Sequence, residues 1–537
     1  MQKPERLAIF GVRLVRPRIN HSNTASLSVK RISHQQSRRN SARRARKVAA
    51  RHAKAGHWGP QSQPMFHSGK VHYEVGANTE ATSLGGIAAV QRLASKLGLV
   101  KVIDERLKLL KVHLPYHESD HVLNLAYNVL CGGTRLEDIE RLRHDLAYMD
   151  ALGTDLIPDP TTAGDFCRRF AEADVIALLD CINAVRPKLW RGRAHDLLGP
   201  VAYIDVDGTQ VPTYGEQKAG MNISHDGVWG YAPLLVSLAN TKEPLYLVNR
   251  PGNVPSHLDS APWIDRAIAL VQPHAERVCV RGDTDFSLTR NFDRWAQAAD
   301  FIFGMDSTQA LRSRAEALPP ERWQRLERAP KYVTLTDERR QRQQEDEKER
   351  IVEARGYENL KLNHEDVAEF QYQPGKCQRP YRMVALRKNI SKRVGTYELF
   401  ELYRYFFYIT TRTDLSAAAV VACANERCDQ ENVIQQLKNG VNALRVPLYD
   451  LVSNWAYMVI ASLAWTLKSW FALMMHRKSE RSWYLCMEFR RFFHSIILIP
   501  CRVVRRARSI TIRLIGYQPA LDRFFSAWNT IERTAFG

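Results

Sequence analysis

Two apolar stretches of this chain end on carboxylates, and nothing else in the sequence constrains its fold as tightly. VAYIDVDGTQV (201–211) and RVCVRGD (277–283) are β-branched, apolar runs of strand length. Side chains alternate along a strand, so Asp205 and Asp207 share one face. A carboxylate on an otherwise buried strand is costly unless it is paired or bound to a cation. Asp207 stands before Gly208 and Thr209, which suit a strand end, and an ordinary Asx turn would account for it alone. Asp283 stands shortly before a helical pattern, and a helix N-cap would account for it alone, with Asp285 as its competitor.

The segments around these acids alternate in type. PLLVSLANTKEPLYLVNR (233–250) reads as two strands about a four-residue turn, and FIFGMD (301–306) as a further strand. Residues 260–272 and 288–299 have helical spacing. Hairpins followed by βα units predict a mixed α/β fold, one sheet with helices on its faces. We expect this core over 198–309 and 413–476. Upstream, 82–190 reads as a helical domain, in which HVLNLAYNVLCGG ends on the C-cap signal Gly132-Gly133. Between the two parts of the core, 310–412 reads as a β-rich insertion with strand candidates at 368–373, 380–387 and 403–411. Its residues 335–355, dense in both charge signs, read as a solvated helix or linker. Helices are expected around 427–440 and 447–476, then a basic C-terminal region over 477–537.

The charge balance points to a polyanion. Lys and Arg number 77 against 57 Asp and Glu, a net charge of +20, which suits DNA, RNA or an anionic membrane surface. Residues 6–73 contain no acid, and RRNSARRARK falls within them. The arm 1–73 is expected to have no fold of its own. A basic tail, translation from upstream of the true start, a phosphate-binding arm and an organelle transit peptide all fit its composition. Nine scattered cysteines without a CxxC pair predict neither a zinc site nor a disulfide framework, and a reducing cytosol is the expected compartment. Residues 451–475 have the length of a membrane span. Asn454, Lys468 and internal Trp and Tyr argue instead for a buried core helix, so no membrane partner is expected.

A third acid lies in NERCDQENVIQQLKNG. Arg427, Glu431 and Lys438 fall at i, i+4 and i+11, one face of a helix. A surface stripe of charge pairs would explain them too. Phosphodiester cleavage near neutral pH needs an activated water and a neutralised leaving oxygen, which two divalent ions about 3.5–4 Å apart supply. Mg²⁺ takes oxygen ligands, so the corresponding signature is a set of convergent carboxylates. Asp207, Asp283 and Glu431 are the candidates: two acids ending separate strands and a third on a later helix.

That order resembles the RNase H-like nucleotidyl-transfer fold. VDGT is similar to the first-strand DG[ST] of such enzymes, and RGDTDF resembles the R-x-D-S-x-F of bacterial insertion-sequence transposases. Arg427-x3-Glu431-x6-Lys438 matches the end of their Y-x2-R-x3-E-x6-K signature, with Ala424 at the Tyr position. TYGEQKAGMN, GVWGYAPLLV and SNWAYMVIASLAW look like the insertion-sequence family numbered thirteen-eighty, over about 85–510. The resemblance implies a DDE transposase with an RNase H-like catalytic core, an N-terminal helical DNA-binding domain and a β-rich insertion between Asp283 and Glu431. It implies two Mg²⁺ or Mn²⁺ ions, with Asp207 and Asp283 binding metal, Asp207 bridging, and Glu431 completing the second ion. Asp205 would support these ligands or substitute for one, and Arg427 and Lys438 would hold phosphates. Water would cleave one strand at each terminal inverted repeat, and the freed 3′-OH would attack target DNA. The implied partners are double-stranded DNA, as transposon ends and target, and a second copy of the chain in a synaptic complex. The implied setting is the bacterial cytoplasm, at the nucleoid. Three rivals stay open: an RNase H-like nuclease that cuts without joining, an inactive DNA-binding protein derived from a transposase, and a basic scaffold or membrane-anchored protein.

Overall fold

The computed structural model describes residues 34–55, 59, 71–73, 80–213, 215, 217–328, 358–394, 397–506, 509–515 and 519–536. The chain divides into two compact units, Met1–Ser68 and Gly69–Gly537. In the first, α1 (His34–Ala55) is a helix within the arm expected to lack a fold. Its sequence is rich in Ala, Arg and Lys, strong helix formers that need no buried face to turn helical. The solvated segment expected at 335–355 lies outside the described residues.

In the second unit, α2 (Ile87–Leu97), α3 (Leu99–Arg106), α4 (Glu118–Leu130) and α5 (Glu172–Trp190) belong to the expected helical region. They share one hydrophobic core with the sheet that follows. That sheet has β1 (Ala202–Gly208), β2 (Leu234–Leu238), β3 (Glu243–Val248), β4 (Val278–Gly282) and β5 (Asp300–Met305), with α6 (Ala261–Val271) crossing between β3 and β4. The strand order is β3-β2-β1-β4-β5. β1 runs antiparallel to β2 and parallel to β4, and β4 runs parallel to β5.

The stretch expected as an insertion with its own strands instead lengthens this sheet. β6 (Glu358–Tyr372), β7 (Tyr381–Val394) and β8 (Tyr397–Thr410) form an antiparallel meander, and β8 pairs with β5. These strands run well past the short segments read from apolar residues. Their charged residues pair across the ladder: Asp366 with Arg387 at 3.0 Å, and Glu365 with Lys388 at 3.3 Å. Opposite charges facing each other across strands stabilise a sheet that hydropathy alone does not reveal.

The expected helix over 427–440 is interrupted. α7 (Ala417–Glu426) and α8 (Asp429–Gln435) are separate, and Gln436–Gly440 forms a widened π turn. This turn packs against a distant segment: the Gln436 side chain accepts the Phe489 N–H at 2.9 Å, and a Cβ at Gly440 would lie 3.0 Å from Phe489 Cβ. Arg427, Glu431 and Lys438 therefore do not line one regular helical face.

α9 (Leu451–Leu473) is the membrane-length helix, and its apolar window is wholly inside the protein. Three indoles fix it along the β2–β3 hairpin. Trp455 donates to the Leu247 carbonyl at 2.6 Å, Trp465 to the Lys242 carbonyl at 2.7 Å and Trp470 to Glu243 Oε1 at 2.6 Å. Buried Lys468 donates to the Leu485 carbonyl at 2.6 Å and lies over the Trp465 ring. The basic C-terminal region is structured as well. β9 (Cys501–Arg506) pairs with β10 (Ser509–Leu514) and with Ala81–Thr82, which returns the end of the chain to the start of the helical region.

Candidate active site

The register of β1 against β4 builds the site. Ala202 lies beside Val278 and Asp205 beside Arg281 in a parallel pair. Two residues further along both strands, Asp207 and Asp283 emerge side by side, on the face that carries Asp205 and Arg281. Burial pushes the Asp207 carboxyl up to about 6; Arg427 pulls it down and Asp283 pushes it further up. Burial also raises Asp283, with Arg427 opposing and Asp285 adding repulsion. One guanidinium thus faces both acids. Arg427 Nη1 lies 3.1 Å from Asp207 Oδ2, with both side chains only 16% exposed, so solvent screens the pair weakly.

Close backbone approaches shape the strand ends. A Cβ at Gly208 would lie 2.6 Å from Ser256 Oγ and 2.9 Å from Ser256 Cβ. Gly208 is the last residue of β1, where glycine lets the Ser256 loop close against the strand. Buried Arg250 holds that loop, donating to the carbonyls of Ser256 at 3.0 Å and Leu258 at 2.8 Å. Beside β4, a Cβ at Gly304 would lie 3.0 Å from the Thr284 nitrogen and 3.2 Å from the Asp283 carbonyl carbon. Asp283 does cap the following turn, with Oδ1 accepting the Asp285 N–H at 3.0 Å. The local explanation for this acid and its place beside Asp207 are both realised.

Asp205, on the same face, is engaged by a partner of its own. It is buried, and both its oxygens are held by Arg281, Oδ1 by Nε at 2.7 Å and Oδ2 by Nη2 at 3.0 Å. Burial works against the Arg281 charge, and the Asp205 carboxylate overrides it and pushes the guanidinium pKa up. Arg281 also donates to the Cys423 carbonyl at 2.9 Å and stacks over Tyr203. It ties α7 to the sheet. The role was missed in the sequence, although its signal was there: Arg281 lies two residues before Asp283, on the same strand face.

Gln430 is the second residue missed. Its Nε2 donates to the Asp205 carbonyl at 3.0 Å and the Leu235 carbonyl at 3.1 Å, docking α8 across β1 and β2. Glu431 is the next residue. It is exposed on α8, and its carboxylate has no hydrogen bond or ion pair among the described residues. The structure brings Asp207, Asp283 and Arg427 together and leaves Glu431 outside that contact. Lys438 Nζ is bound to the Gln210 carbonyl at 2.9 Å, three residues beyond Asp207, and burial lowers its pKa.

The donor set suits a hard divalent cation. Asp207, Asp283 and Glu431 offer carboxylate oxygens only. A cation between the first two would relieve the burial cost that raises both, and the Glu431 carboxylate is exposed.

A family model described as transposase DDE domain group 1 matches residues 70–536. No curated protein matches. Among solved structures, the piggyBac transposase synaptic complex with hairpin DNA is similar at 10% identity and a TM-score of 0.30, over 78% of this chain and 83% of that one.

Proposed function

The chain belongs to the transposase DDE domain group 1 family, and we propose that it binds the terminal inverted repeats of a mobile element, cleaves DNA there and joins the freed 3′ ends to target DNA. Divalent metal ions serve this family generally. The observation that carries the reading is the emergence of Asp207 and Asp283 side by side from neighbouring parallel strands, with Arg427 paired to Asp207 and close enough to Asp283 to act on both. The strand order β3-β2-β1-β4-β5, three antiparallel strands and then two parallel ones, supports an RNase H-like core.

In this reading Asp207 and Asp283 would be ligands of two Mg²⁺ or Mn²⁺ ions, and Glu431 would supply a further oxygen ligand. Bound metal would activate water and neutralise the departing 3′ oxygen. Arg281 and Gln430 position the acids: the first clamps Asp205 two residues before Asp207, and the second fixes α8 one residue before Glu431. Arg427 offsets the two acids in the absence of metal and is placed to hold a phosphate beside them. Lys438, held at Gln210, extends the cationic edge. Terminal-repeat recognition within insertion-sequence family thirteen-eighty, a homodimer bridging two ends and a cytoplasmic setting complete the proposal.

The test is incubation of the full chain with candidate end DNA, Mg²⁺ and labelled target, followed by mapping of joined products. Asp207→Asn and Asp283→Asn are expected to abolish cleavage while retaining DNA binding. Cleavage by either variant at the parent rate would remove that acid from the site. Cutting without joined products would favour a nuclease.

A further inference from the structure

A different donor set lies ahead of α4, in the helical region. His113, His117 and Glu118 each bring a ligand atom to within 4.8 Å of the other two. Glu118 is the anchor, with its side chain only 1% exposed. Its Oε1 accepts the backbone N–H groups of Leu109 and Leu110, each at 3.0 Å. That leaves Oε2, which lies 3.0 Å from His113 Nε2. Burial would raise this carboxyl, but the two amides and His113 outweigh it and keep it below the ordinary carboxylate range. His113 and His117 are both exposed, and their rings stack at 4.3 Å with 17° between planes.

We propose that His113, His117 and Glu118 form a binding site for a borderline transition-metal cation, Zn²⁺ before others. Imidazole nitrogen with carboxylate oxygen is a zinc-type donor set, unlike the all-carboxylate set at Asp207 and Asp283. In a tetrahedral site with bonds of about 2.0–2.1 Å, ligand atoms lie roughly 3.3 Å apart. The His113–Glu118 pair is already near that spacing. His117 completes the set by turning its exposed ring out of the stack with His113. The two amides on Oε1 do what hydrogen bonds to a ligating carboxylate do in metal sites, orienting the oxygen left free. The positive end of α4 opposes a cation here, and Glu118 and Asp120 in its first turn offset that field. The bound ion would tie the loop after α3 to the start of α4, with a fourth coordination position open to solvent.

The test is titration of the full chain with Zn²⁺ in excess Mg²⁺, with Co²⁺ absorption in the visible as a second readout. His113→Ala and His117→Ala change exposed residues, and far-ultraviolet circular dichroism of each is expected to match the parent. Each is expected to weaken Zn²⁺ binding by at least about 10–100-fold, the range already seen when only an outer partner is lost, and to remove the Co²⁺ bands. His144→Ala, at an exposed histidine bound to Glu140 instead, is expected to change neither. The proposal is overturned if the parent takes up no Zn²⁺ at micromolar concentration, if both variants keep the parent affinity, or if His144→Ala weakens binding equally.

Discussion

Replacing Asp207 by Asn should stabilise the metal-free protein at neutral pH while destroying its ability to cut DNA. Burial is the largest cause pushing this carboxyl up to about 6, and Arg427 at 3.1 Å only partly offsets it. In an unfolded chain an Asp titrates near 3.9. The native state therefore binds the proton more tightly than the unfolded state. The resulting stability is fully present below about pH 4 and is lost as pH rises through about 6. The gap spans about two pH units at about 1.4 kcal/mol each, so the ionised carboxylate costs up to about 3 kcal/mol at pH 7. Asn keeps the shape, can still accept from Arg427 and escapes this cost. Urea unfolding of parent and variant, without metal, should show the variant more stable by about 1–3 kcal/mol at pH 7, with the difference closing by pH 4. Mg²⁺ at 1,000 times its Kd should reverse the order, because it adds about 4.1 kcal/mol to a protein that binds it. A variant less stable than the parent at pH 7 without metal, or a difference independent of pH, would refute the reasoning.

Arg281→Met leaves Asp205 buried and unpaired and should cost about 3–5 kcal/mol in urea unfolding; adding Asp205→Leu should recover most of it, and a double variant as unstable as the summed singles would contradict the clamp. Glu431→Gln should change stability by less than about 0.5 kcal/mol, as expected for an exposed side chain, while abolishing cleavage; retained cleavage would exclude Glu431 from the site. Gly208→Ala forces a Cβ against Ser256 and should cost about 1–3 kcal/mol, with slower cleavage as the loop withdraws; unaltered cleavage and unfolding would show that the loop can move freely. Binding to end DNA should fall steeply between 50 and 200 mM salt, since each lysine or arginine contact releases counterions; a flat response in a gel-shift titration would count against phosphate recognition.

What the sequence made legible was local. Asp207 and Asp283 stood out because each ends an apolar run, and the observed strands end within one residue of them, at Gly208 and Gly282. α9 was readable as a core helix from Asn454, Lys468 and its internal aromatics, and its apolar window is wholly buried. The meander was seen only as fragments at 368–373, 380–387 and 403–411, because charged residues such as Glu365, Asp366 and Lys388 bound the apolar runs. The reason these charges lie in strands is the opposite charge on the neighbouring strand, and only the register supplies it. The break at Arg427 and the π turn after Gln435 escaped for a similar reason. Both depend on what packs against the helix, including Phe489, which lies 53 residues further along.

The acids themselves show how pairing, rather than local pattern, sets a site. Sliding β4 by one residue against β1 would place Val280 or Gly282 opposite Asp205 and turn Arg281 to the other face. Asp205 would then be a buried carboxylate without its guanidinium, an error of about 3–5 kcal/mol. That penalty is incurred two residues before Asp207 on one strand and two before Asp283 on the other. The one register in which Asp205 and Arg281 meet is also the one in which Asp207 and Asp283 emerge together. The buried pair, which touches no reacting group, thus guards the alignment of the two acids that would.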